Sequence, residues 1–327
     1  IRPLQKRSYD FSRENDVVPL DVVEAPLSLP GHIADLRARA ASSDDTVDAQ
    51  LAATLLALMA REGITSAQPE RWLGAGGTPT TNEEYQGDVK LSPSQFERAL
   101  ACPLRWFLTT IGADGPSNAA ASLGTLVHAL AEENPHGTPE ELTEALEARI
   151  EELGYNLDTW AGRHADRHAR AIVDNLASYL VGVPGRVEVE QMVEAQVEGV
   201  TIRGRMDRLE HVDEGVRVTD LKTGKGGHSA KTVPDNPQLA AYQMALLASG
   251  EQVAGARIAL LGGDKPKTFD QKPLEGKTLE EWRGKVREVA AIARGPYFEA
   301  TPSEDACRYC SFDRLCPARE RGRKVVE

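Results

Sequence analysis

The sequence predicts an α/β domain whose mixed central sheet is flanked by helices. Three observations carry that prediction. Up to about residue 181 the apolar residues recur at helical spacing, from Arg186 they alternate, and after Pro237 helical and strand segments interleave.

Taken in order, residues 1–32 read as irregular, broken by Pro3, Pro19, Pro26, Pro30 and Gly31. Residues 33–61 are helical, with Leu51, Leu55, Leu58 and Met59 at the spacing of one face. Residues 74–87 are rich in Gly, Thr, Pro and Asn and read as a linker. Residues 1–88 are therefore expected to be a helical segment with its linker, and 89–327 the main domain. Ser92-Pro93-Ser94-Gln95 starts a helix that carries Phe96, Leu100, Trp106 and Phe107. Residues 122–128 are helical again. Thr138-Pro139-Glu140-Glu141 is a capping box for an acidic helix running to about Leu153, and 158–181 form a long helix. A three-strand meander follows over 187–197, 200–209 and 216–221, with turns at Glu198-Gly199 and Asp213-Glu214-Gly215. Residues 237–249 are helical, 256–261 a short strand, and 278–294 an amphipathic helix leading to a cysteine cluster. Gly276-Lys277-Thr278 has the ending of a phosphate-binding loop, but Gln271 stands where that motif needs its first glycine. It reads as a loop before the helix.

With 327 residues the chain can bury a sizeable core. A net charge of −12 argues against a simple nucleic-acid coating protein, which would be basic. It leaves room for an enzyme that gathers carboxylates to hold metal. No apolar run reaches membrane-spanning length and no secretory leader opens the chain, so a cytoplasmic location is expected, with no membrane partner. The chain begins at Ile1, and a piece of a longer polypeptide is expected.

The most informative stretch is Gly204-Arg205-Met206-Asp207, followed by Val218-Thr219-Asp220-Leu221-Lys222-Thr223-Gly224. Asp207 and Asp220 fall at the ends of neighbouring strands, and Lys222, two residues on, shares a side with Asp220. Two carboxylates can bind a hard cation such as Mg²⁺, which acidifies water and offsets charge on a phosphate. A lysine beside them can orient that water or stabilise negative charge. Asp-x-Lys alone is more often a surface ion pair. The apolar strand feeding into it, and the second acid on the strand before, shift the balance.

Asp207, Asp220 and Lys222 resemble the PD-(D/E)xK signature in its RecB-like form, with Met206 in place of the signature proline. Gln238-Leu239-Ala240-Ala241-Tyr242 resembles that family's Gln-x-x-x-Tyr motif, and Gly124-Thr125-Leu126-Val127-His128 its Gly-x-x-x-His helix. The resemblance spans about residues 90–320. It implies a restriction-endonuclease-like core and hydrolysis of DNA phosphodiester bonds with Mg²⁺ or Mn²⁺. His128, Asp207, Asp220 and Leu221 would hold the metal, and Gln238 and Tyr242 would orient Lys222 and contact DNA. The alternative is a catalytically silent member serving as a DNA-binding arm. Silent members normally lose an acid or the lysine, and all stand here.

The four cysteines are Cys307, Cys310 and Cys316 in a Cys-x₂-Cys-x₅-Cys run, with Cys102 far upstream. Four thiolates also suit zinc, although zinc modules usually place two close pairs in a short segment. One remote cysteine plus three clustered ones resembles the 4Fe–4S clasp of AddB-type and CRISPR-associated RecB-like nucleases. The likeness is greatest to nuclease domains of AddAB- and AdnAB-type helicase–nucleases. It implies helicase motor domains in the same longer chain, a partner helicase–nuclease subunit, single-stranded DNA as substrate, and a role in double-strand-break resection and repair. A free-standing CRISPR-associated nuclease is the other context. Lys225, Lys231, Arg203 and Arg205 are candidate phosphate contacts. The stripe Arg163, His164, Arg167, His168 and Arg170 reads equally well as a basic contact or a solvated helix face.

Overall fold

The computed structural model describes residues 28–42, 45–69, 84–113, 123–183, 185–308, 310–313 and 315–319. The chain divides into two compact units, 1–81 and 82–327. Residues 1–27 of the segment read as irregular, and 74–83 of the expected linker, lie outside the described residues.

In the first unit, α1 (Leu29–Ser42) packs on α2 (Thr46–Arg61) through Ile33, Leu36, Ala52 and Leu56. Pro30 and Gly31, expected as breakers, sit inside the first turn of α1. A proline there lacks only an amide that would have had no helical partner. The single helical pattern over 33–61 is two helices, because the Asp45 side chain accepts from the Val47 and Asp48 amides and starts α2 afresh. Leu51, Leu55 and Leu58 do share a face, but it is exposed.

The second unit holds a mixed six-stranded sheet. Its strands are β1 (Val89–Leu91), β2 (Val187–Val197), β3 (Val200–Val212), β4 (Gly215–Lys222), β5 (Val253–Leu260) and β6 (Lys267–Gln271). The short edge strands β1 and β6 were not foreseen from the sequence. The long strand β3 organises the sheet. Along one edge β2 pairs with it antiparallel from Val197↔Val200 to Val187↔Glu210. Along the other edge β1 takes residues 200–202 and β4 takes 208–212, so residues 203–207 face a fork where no strand among the described residues pairs. Asp207 is the last residue of that fork. Beyond it β4 pairs parallel to β5, and β5 antiparallel to β6.

Helices cover both faces, as the fold prediction required. On one side α3 (Pro93–Ala101), α8 (Pro237–Ala248) and α9 (Gly276–Arg294) bury Phe96, Leu239, Trp282 and Val286 against Ile202, Val218 and Ile258. On the other α5 (Leu123–Glu133), α6 (Pro139–Arg149) and α7 (Trp160–Val181) bury Leu130, Leu146 and Leu176 against Leu221, Ala259 and Leu261. The capping box at Thr138 and Glu141 is formed in both directions. Two expectations need correction. The helix after Ser92 is broken at Cys102-Pro103 into α3 and α4 (Pro103–Thr110), because a residue before proline avoids helical backbone. Gly276-Lys277-Thr278 is the first turn of α9 rather than a loop before it. A buried ionic cluster stiffens the sheet behind the fork. Glu210 accepts from Arg217 at 2.9 and 3.1 Å and from the Tyr179 hydroxyl, with Arg208 Nε 3.7 Å away.

Candidate metal-dependent active site

Both helical layers reach the fork. Alternation along β4 turns Val218 and Asp220 towards α8 and Leu221 towards α7. Gly204 admits the close neighbours of β3, since a Cβ there would lie 2.6 Å from Pro93 Cδ and 3.1 Å from Tyr242 Cε1. From the other layer α5 delivers His128, whose Nδ1 is 3.4 Å from Asp207 Oδ1. The opposite oxygen of Asp207 accepts from the Leu221 amide at 2.7 Å. Asp207 thus ties β3 to β4 beyond the point where their ladder ends. The Leu221 side chain is buried among apolar residues, so only its carbonyl could serve a cation.

Asp220 is almost wholly buried. Gln238, at the start of α8, donates from Nε2 to Asp220 Oδ1 at 3.0 Å, and its Oε1 accepts from Lys222 Nζ at 3.4 Å. Asn236 fixes that helix start by capping the Leu239 amide at 2.8 Å. Asp220 Oδ2 forms an ion pair with Lys222 Nζ at 2.8 Å and accepts a hydrogen bond from no other described residue. Burial raises the Asp220 carboxyl to about 6 against the pull of Lys222, with Asp207 adding to the rise. Burial alone would lower the Lys222 ammonium, but the Asp220 carboxylate more than offsets it, so its pKa is raised and it stays charged. His128 is raised mainly by its hydrogen bond to Asp207. Buried or half-buried carboxylates beside an imidazole are donors that a divalent cation such as Mn²⁺ can use. Tyr242, one helical turn past Gln238, is buried and donates to the Arg205 carbonyl at 2.6 Å, which fixes the strand segment before Asp207.

Three residues here escaped the sequence reading. Glu190 on β2 stands opposite Asp207, and ligand atoms of His128, Glu190 and Asp207 all lie within 4.8 Å of one another. Glu97 on α3 accepts from Asn236 at 3.2 Å, and burial raises its pKa although Lys222 draws it down. Gly262 follows β5, whose end accepts Lys222, since the Leu261 amide donates to the Lys222 carbonyl at 2.8 Å. A Cβ at Gly262 would lie 2.4 Å from the Thr223 and Gly224 oxygens, so a side chain there would push the lysine strand out.

Next to the centre is a cavity of about 740 Å³, lined by Glu97, Lys225, His228, Asn236 and Arg308 among others. Of the expected basic residues, Arg203 pairs with Glu194 at 3.4 Å and Arg205 with Glu190 at 3.2 Å. On α7, Arg170 is held by Glu147 and Asp166, and Arg163 donates to the Leu157 and Asp158 carbonyls. Arg167 remains exposed on that stripe.

The four cysteines lie outside this centre, each half-buried and in no disulfide. Cys102 joins α3 to α4. The segment around it is bound to the C-terminal one at three points: Leu104 amide to Glu299 carbonyl at 3.0 Å, Arg105 to Ala306 carbonyl at 2.7 Å, and Thr301 to Ala101 carbonyl at 2.9 Å. Phe107 stacks on Phe298 with centroids 4.1 Å apart. Cys307 lies on α10 (Glu304–Arg308), one residue past Ala306.

Parts of the chain are similar to known proteins. The Gene 69 protein of Mycobacterium phage D29 is 25% identical over 265 residues, covering 69% of this chain and 96% of that protein. The Gene 69 protein of Mycobacterium phage L5 is 27% identical over 133 residues, 39% of this chain and 44% of that one. The crystal structure of a proposed exonuclease from Eubacterium rectale covers 73% of this chain and 93% of its own at 13% identity, with a TM-score of 0.40. The sequence profile of the PD-(D/E)XK nuclease superfamily matches residues 90–317, so this chain belongs to that superfamily.

Proposed function

We propose that this protein is a divalent-metal-dependent deoxyribonuclease that hydrolyses phosphodiester bonds of single-stranded DNA. The observation that carries the reading is the grouping of Asp207, Asp220 and Lys222 at the sheet fork, with His128 from one layer and Gln238 from the other. His128, Asp207, Asp220 and the Leu221 carbonyl would hold Mg²⁺ or Mn²⁺. The cation, when bound, polarises the phosphate and acidifies water. A charged Lys222 is suited to orient the attacking water and to stabilise charge on the phosphate. Gln238 restricts Lys222 and Asp220 to one geometry, and Tyr242 secures the Asp207 strand by its bond to Arg205. Lys225, His228 and Arg308 beside the cavity offer positive or donor groups to a sugar–phosphate backbone.

The same reading assigns Cys102, Cys307, Cys310 and Cys316 to one structural 4Fe–4S cluster. The donor chemistry supports it, since four half-buried thiols sit on two segments already bound together. The cluster would close the nuclease domain, taken as residues 89–327, into one loop. The expected context is a helicase–nuclease in the cytoplasm that resects double-strand breaks, with motor domains in a longer chain and a partner subunit. No helix among the described residues is long and apolar enough to cross a membrane.

The test uses end-labelled single-stranded, duplex and gapped oligonucleotides in Mg²⁺, Mn²⁺ or EDTA, with Asp220→Ala as control. Metal-dependent cutting of single strands, absent in the variant, is expected. Equal cutting by folded Asp220→Ala would assign the activity elsewhere.

A further inference from the structure

We propose that Glu190, on a strand outside the family signature, is a direct ligand of the cation held by His128 and Asp207; this rests on the metal-dependent reading above. Three observations converge on it. First, the β2–β3 register pairs Val189 with Arg208 and Gln191 with Met206, which leaves Glu190 opposite Asp207. Two carboxylates across an antiparallel pair repel unless a positive group lies between them. Arg205 Nη1, 3.2 Å from Glu190 Oε2, is the nearest compensation, and its side chain is 62% exposed, so solvent weakens the pair. Second, one atom each of His128, Glu190 and Asp207 falls within a 4.8 Å span, the size of one coordination shell.

Third, Glu190 has φ +52° in the middle of a strand. Among the described residues only Glu198 shares that property without being glycine, and Glu198 is accounted for by the hairpin turn with Gly199. Nothing local in β2 asks for a left-handed residue at 190. Strained backbone at a cluster of metal-binding groups points to a side chain held for function rather than for the sheet. Beside it, Asp220 Oδ2 is buried and accepts no hydrogen bond, with Lys222 Nζ 2.8 Å away as its counter-charge.

The arrangement makes Glu190 a ligand whose removal should improve the cation-free fold and weaken the loaded one. Glu190→Gln keeps the shape and removes the charge. Glu190→Gly also relieves the backbone, since glycine takes positive φ freely. Mn²⁺ affinity is measured by counting free Mn²⁺ with electron paramagnetic resonance, and melting temperature in EDTA is followed in parallel. Both variants should bind Mn²⁺ at least tenfold more weakly than the wild type. Glu190→Gly should melt no lower than the wild type in EDTA, which separates lost ligation from lost folding. Affinity within twofold of wild type in Glu190→Gln overturns the role of Glu190 alone, whatever the wild-type activity. A wild-type protein that binds no Mn²⁺ overturns the metal-dependent reading itself, and this role with it.

Discussion

Without a divalent cation the candidate centre should destabilise the fold, and removing one charge should restore what is lost. Asp220 is 5% exposed, and burial lifts its pKa from the ordinary 3.8 to about 6 even with Lys222 beside it. A raised pKa means that the folded state keeps a proton the unfolded chain has already released. Stability is therefore fully present below the unfolded pKa and falls as pH rises through about 4 to 6, remaining low above that window. At about 1.4 kcal/mol per tenfold change, ionised Asp220 costs the cation-free fold on the order of 3 kcal/mol at neutral pH. For a unit of this size that is about 6–12 °C in melting temperature. Asp220→Asn keeps an oxygen for Gln238 and removes the charge. In EDTA near pH 7.5 it should melt above the wild type by roughly that amount, and the difference should vanish as pH falls below about 4. Mn²⁺ should raise the wild type and leave the variant nearly unmoved. Calorimetric melts across this pH range, with EDTA or Mn²⁺, make the measurement. The reasoning fails if Asp220→Asn melts below the wild type in EDTA at pH 7.5, or if the difference between the two proteins does not shrink as pH falls from 7 to 4.

Other consequences are equally specific. His128→Ala should make cleavage depend more steeply on metal concentration; and because Asp207 raises the imidazole pKa, wild-type Mn²⁺ affinity should climb with pH as His128 sheds its proton, which an unchanged titration in either experiment would contradict. Gly262→Ala should lower single-turnover cleavage at least tenfold while the protein still folds, because the Thr223 and Gly224 oxygens stand in its way; wild-type rates would show that Lys222 is positioned otherwise. Glu210→Ala should cost about 3–5 kcal/mol in denaturant unfolding, since it leaves Arg208 and Arg217 without their buried counter-charge. Cys102→Ser should remove brown colour and iron as fully as Cys310→Ser, although Cys102 is the distant member. Zinc with no iron in anaerobically made protein would replace the cluster assignment, and unchanged metal in the Cys102 variant would remove the clasp.

The parts of the centre that were legible in sequence are those set by local pattern. Alternation along 216–222 places Asp220 and Lys222 on one side, and a helical turn places Gln238 four residues from Tyr242. The family relationship could be read from their order. What escaped depends on distant pairings. Glu190 meets Asp207 only through a ladder register fixed by the whole hairpin, and no local motif surrounds it. β1 has three residues and β6 alternates weakly among Lys267, Thr268 and Asp270, so neither gave a strand signal against its polar surroundings. Pro103 did carry a break signal, but the apolar spacing of Phe96, Leu100 and Phe107 ran straight across it. The fork itself, which lets two helical layers reach one aspartate, is a property of the sheet and of no single segment.

The central claim is tested most directly by single-turnover cleavage of a labelled single-stranded oligonucleotide in Mn²⁺, comparing wild type with Lys222→Ala. Both proteins should bind Mn²⁺, because the carboxylates remain, and only the wild type should cut at an appreciable rate, with the variant slower by at least a hundredfold. Equal rates in the two folded, Mn²⁺-loaded proteins would contradict the assignment of this centre as the site of hydrolysis.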